Sequence, residues 1–69
     1  MHYCQEVFVV SIAFGDKSPP DECFQFVNNA ENYAASFTGK YHGSTATVYV
    51  KNLFCDPLAV SRFTRGVKL

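Results

Sequence analysis

The stretch SPPDECFQFVNNAENYAASFTG, residues 18–39, decides how the rest of the chain can be arranged. Read alone, it predicts one amphipathic helix. Ser18 is a favoured N-cap, Pro19 suits the first helical position, and Asp21 follows at capping-box spacing. Asp21 and Glu22 also place negative charge at the positive end of a helix dipole. Cys23, Phe26, Val27, Ala30, Tyr33, Ala34 and Phe37 then recur at three- and four-residue steps and share one face. Gln25, Asn28, Asn29, Glu31, Asn32 and Ser36 fall on the other. Gly39 is expected to close the helix in a left-handed conformation. A helix with one apolar face needs a sheet or a second helix to cover it.

The flanking segments supply a sheet. Tyr3–Phe14 is rich in β-branched and aromatic residues, with Phe8, Val10, Ile12 and Phe14 alternating towards the helix. Glu6 shares their parity and belongs at the rim. Val7, Val9, Ser11 and Ala13 face the other way, and a strand apolar on both faces is usually central or covered on both sides. Gly15–Ser18 forms a short connection, and Lys40–Ser44 a second loop punctuated by Gly39 and Gly43. Thr45–Leu53 is the next strand, with Ala46, Val48 and Val50 inward and Thr47, Tyr49 and Lys51 outward. Phe54–Pro57 reads as a turn. Leu58–Val67 completes a hairpin, because Val60, Phe63, Thr64 and Val67 are weak helix formers; the alternative is a short helix capped by Asp56-Pro57. The expected fold is α+β, in the order β-α-β-β, with one helix on a three-stranded, largely antiparallel sheet.

The chain has 69 residues, enough for one domain and one small core. Seven phenylalanines and four tyrosines exclude a disordered chain. A core of this size contributes only ~3–5 kcal/mol of net stability without a staple, metal or partner. The formal charge of zero argues against a general binder of nucleic acid or membranes. It conceals a division. Residues 1–35 carry Glu6, Asp16, Asp21, Glu22 and Glu31 against Lys17, and residues 36–69 carry Lys40, Lys51, Arg62, Arg65 and Lys68 against Asp56. Three cysteines without C-x-x-C spacing and no secretory signal fit a reducing compartment, so the expected location is cytoplasmic. Val7–Phe14 is too short to span a bilayer.

Catalytic and metal-binding signals are weak. His2 and Cys4 share a strand face that Cys55 or His42 would have to approach, but the spacing matches no zinc motif. A Cys-His nucleophile needs an orienting group and an oxyanion hole, for which so small a domain has little room. Anion binding at the helix start is disfavoured by Pro19, Pro20, Asp21 and Glu22. The expectation is a non-enzymatic chain with no cofactor and no metal.

The second face of the sheet is the stronger candidate. It is expected to carry Val7, Val9 and Tyr49, with Tyr3 and Phe63 beside them, and Lys51, Arg62 and Arg65 as a basic edge. Aromatic and branched residues rimmed by charge are the usual composition of a protein-binding surface. Phe24 lies off the helical stripe and either folds over the edge of the core or marks a further contact. In size and layout the chain resembles the compact single-domain inhibitors with which phages and mobile elements block host enzymes, anti-CRISPR proteins among them. That resemblance covers no diagnostic residues. It implies steric occlusion of a larger protein partner, such as a host enzyme or nucleoprotein complex. Two other readings are a nucleic-acid-binding accessory domain, with Tyr49 and Phe63 as stacking platforms among Lys51, Arg62, Arg65 and Lys68, and a structural homodimer closed through the sheet face.

Overall fold

A computed structural model of the protein describes residues 7–52 and 56–69. Its elements are β1 (Val7–Ala13), β2 (Glu22–Phe24), α1 (Val27–Lys40), β3 (Thr45–Lys51), β4 (Leu58–Thr64) and β5 (Val67–Lys68). The strands form one antiparallel sheet in the order β2-β1-β3-β4-β5, with α1 across one face. The α+β class therefore holds, and the sheet has two strands more than the sequence predicts. His2, Tyr3, Cys4, Glu6, Leu53 and Cys55 lie outside the described residues.

The first extra strand replaces the expected helix start. Phe14 is bridged to Lys17, whose N–H donates to the Phe14 carbonyl at 3.0 Å. Gly15, at φ 60, makes this reversal possible: a positive φ at the first central position is the mirror-image turn that suits twisted strands. The chain then runs back along β1, pairing Phe8 with Phe24, Val9 with Cys23 and Val10 with Glu22. Ser18, Pro19 and Asp21 thus form a connection and cap nothing. The residue at the N-cap is Phe26, which makes no side-chain capping bond and is 64 % exposed. Cys23 and Phe26, expected on the buried stripe, are both exposed.

From Val27 onward the stripe is as predicted. Ala30 and Ala34 are fully buried, and Tyr33 and Phe37 are half-buried against the core. They meet Val10, Ile12, Ala46, Val48 and Phe63, so the inward parity of β1 and β3 is also as predicted.

The two sides of α1 rest on the sheet differently. Towards β2 and β1 it carries a row of rings. Phe24 lies 5.5 Å from Tyr33, Tyr33 6.2 Å from Phe37, and Phe37 4.7 Å from Tyr41, with Phe14 edge-on to Phe37 at 6.4 Å. Burial, with a smaller contribution from the charge of Glu22, pushes the Tyr33 phenol above its ordinary pKa. Towards β4 and β5 the helix is bare. Gly39 continues the helix instead of ending it, and a Cβ built on Gly66 would lie 3.3 Å from the Gly39 Cα.

Thr38, which the apolar stripe omits, is fully buried here. Its hydroxyl donates to the Ala34 carbonyl at 2.8 Å and accepts the Gly66 N–H at 3.0 Å, tying the helix to the turn between β4 and β5. Arg65 and Gly66 both have positive φ (52 and 78), as a type I′ hairpin turn requires, and Lys68 of β5 reaches Glu31 on α1 at 3.1 Å. That ion pair joins the acidic and basic halves of the sequence.

β4 departs from simple alternation. Val48 is opposite Ser61, but Tyr49 is opposite Ala59, so Val60 is an extra residue in a β-bulge. The bulge turns Ser61 and Phe63 inward. Ser61 Oγ is buried and has no hydrogen-bond partner among the described residues. Removing an unsatisfied buried hydroxyl relieves its desolvation cost, so Ser61→Ala should raise stability by about 1 kcal/mol. The check is the midpoint of denaturant unfolding; a lower midpoint would show that the hydroxyl is partnered.

Candidate interaction face

Residues paired across antiparallel strands share a face, so the register assigns the surface opposite α1. Val7 pairs with Lys51, Val9 with Tyr49 and Cys23, Tyr49 with Ala59, and Thr47 with Ser11 and Arg62. Val7, Val9, Tyr49, Lys51 and Arg62 therefore lie together on the outer face, as the sequence predicts. Val9 and Tyr49 occupy its centre. Lys51 and Arg62 are exposed and flank them on successive outward positions of neighbouring strands. Arg65 is exposed at the tip of the β4–β5 turn.

Two candidates belong elsewhere. Phe63 is only 5 % exposed and pairs with Ala46 on the helix side. Phe63 directly follows Arg62, and adjacent strand residues face opposite sides, so Arg62 outward sends Phe63 inward. Phe24 pairs with Phe8 on the same inner face and stacks on Tyr33, so it folds over the edge of the core.

Beside Tyr49 lies an open depression of about 410 Å³, lined by Val9, Ser11, Asp21, Tyr49, Lys51 and Pro57. Its floor is apolar and its rim carries one carboxylate and one ammonium. Asp21, read as part of a helix start, reaches this rim because the residue after it enters β2. The depression is wide and shallow, which suits a protruding side chain better than an enclosed substrate. Among the described residues, no group of three His, Cys, Asp or Glu could hold a metal ion, and Cys23 is an exposed free thiol. No helix among them is long and apolar enough to cross a membrane.

Comparison with family models, curated proteins and solved structures returned no match.

Proposed function

We propose that the chain is a small, non-enzymatic protein-binding domain that modulates a larger partner by covering part of its surface. The observation that carries this is the outer face itself. Val9 and Tyr49 form an apolar centre flanked by Lys51 and Arg62, while the core is completed by residues on the opposite side. Tyr49 offers a large contact area at low entropic cost, and an arginine beside it can take a carboxylate in a bidentate pair. Asp21 on the same rim favours a protein over a nucleic acid, because it would repel the phosphate that Lys51 attracts. By its size and this exposed face, the chain fits inhibitors of the anti-CRISPR kind, which act by occlusion.

The test is partner capture from the native host, followed by calorimetry with variants. Tyr49→Ala and Arg62→Glu should each weaken binding by at least ~1–2 kcal/mol and leave the thermal midpoint nearly unchanged. If both bind like the unmodified chain, the outer face is not the contact. Affinity that falls steeply with salt and is shared by unrelated oligonucleotides would instead favour nucleic-acid binding.

A further inference from the structure

Cross-strand register divides the outer face into rows that run across the strands. One row is apolar: Cys23, Val9, Tyr49 and Ala59 lie side by side on β2, β1, β3 and β4. The row beside it is polar and ordered by charge. Ser11, Thr47 and Arg62 are paired across β1, β3 and β4, and Asp21, one residue ahead of Glu22, lines the same depression as Ser11. A carboxylate thus stands at the β2 end of this row and a guanidinium at the β4 end. On the other flank of the apolar row, Lys51 pairs with Val7. Neighbouring strands lie about 4.8 Å apart, so Asp21 and Arg62 are separated by about 14 Å across the sheet.

The backbones of β1 and β3 are paired with neighbouring strands on both sides, so the centre of this face offers side chains and no free ladder. An extended segment laid over Val9 and Tyr49 would bury its own N–H and C=O groups without partners. A helix brings those groups already paired, as α1 does on the opposite face. We infer that, given the outer face as the partner contact proposed above, its occupant is an amphipathic helix of the partner protein. It lies across the strands along the apolar row, with a basic residue against Asp21 and a carboxylate against Arg62. A helix rises about 1.5 Å per residue, so these two charges stand about two and a half turns apart on one flank. A large apolar side chain between them enters the depression beside Tyr49, and a carboxylate on the other flank meets Lys51. The reversed order would set carboxylate on Asp21 and cation on Arg62, so the polar row selects charge order as well as charge type.

A display library of helical peptides of about 18 residues, with an apolar stripe and randomised flanks, tests this against the full chain. A library of proline-containing extended peptides runs beside it. The enriched helices should carry a basic and an acidic residue on one flank, two to three turns apart. Affinity is then read by fluorescence anisotropy, with thermal melts to confirm that each variant is folded. An enriched helix should lose at least about tenfold in affinity for Tyr49→Ala and for Asp21→Lys. Exchanging its basic residue for glutamate should restore binding to Asp21→Lys and weaken binding to the unmodified chain. Helices that bind Tyr49→Ala unchanged overturn both the inference and the outer face as the contact. Binders that need Tyr49 but ignore Asp21→Lys, or that come only from the extended library, keep the face and overturn the helix. A helix library without binders overturns it too, and the outer face is then judged by the captured partner alone.

Discussion

Phe63→Ala should unfold a large part of the population at room temperature. Phe63 is 5 % exposed, packs within the Val10, Ile12, Ala46 and Val48 cluster, and is the largest side chain that β4 sends to the helix. Truncating a buried phenylalanine costs about 3–5 kcal/mol in lost transfer energy and residual cavity. A core this small holds a net reserve of similar size. Denaturant titration should show the loss as a midpoint displaced to low concentration, or as an incomplete native baseline. Phe26→Ala provides the contrast. That ring is 64 % exposed and makes no cap, so its removal should move the midpoint by no more than about 0.5 kcal/mol. Equal effects at the two positions would mean that the parity of β4 had been misassigned.

The second large effect is expected where α1 meets the β4–β5 turn. Gly66 has φ 78, and a Cβ there would stand 3.3 Å from the Gly39 Cα and 3.5 Å from the Ala35 carbonyl oxygen. Both obstacles are backbone. Gly66→Ala should therefore cost about 1–3 kcal/mol, partly from the left-handed conformation and partly from pushing the turn off the helix. Any retreat of the turn also stretches the bond from Gly66 N–H to Thr38. Gly39→Ala separates these causes. Its φ is helical, and its Cβ would meet the Gly66 Cα at an ordinary 3.6 Å, so the gain in helix propensity of up to about 1 kcal/mol should make it neutral or stabilising. Thermal melts of the two variants should therefore move in different directions, or only Gly66→Ala should move. A Gly66→Ala protein as stable as the original would show that the turn is not held against the helix.

Where a local period decided the structure, the sequence was readable. Val10 and Ile12 on β1, Ala46 and Val48 on β3, and Ala30 and Ala34 on α1 all occupy the faces that their spacing predicts. The same alternation located Val7, Val9, Tyr49 and Lys51 on the outer face. Where pairing between distant residues decided it, the local signal misled. Ser18, Pro19 and Asp21 are a credible helix start, and Cys23 and Phe26 continue the helical step backwards from Val27. What displaces them is a hairpin with β1, announced only by Gly15-Asp16, a dipeptide suited to a two-residue turn. Phe63 was misplaced because it was set on the same face as its neighbour Arg62, which alternation along one strand forbids. Thr38 was hidden by its class: a threonine counts as polar in an apolar stripe, although its hydroxyl can be satisfied by the carbonyl four residues back. β5 was missed because Arg65 is an unusual residue at positive φ and masks the turn that Gly66 completes.

The strand order has a consequence for how the chain assembles. β1 with β2, and β3 with β4 and β5, are neighbours in sequence, and each group can form from local reversals alone. The seam between β1 and β3 is different, since it joins Val10 to Val48 across the intervening hairpin and helix. Closing a long loop costs entropy before its contacts return any, so this seam governs the speed of folding. The helix cannot find its whole binding site until both groups have met, because its aromatic row lies over the first and its bare side over the second. α1 is therefore the latch of the molecule: it secures two pieces that the sheet alone would bring together slowly.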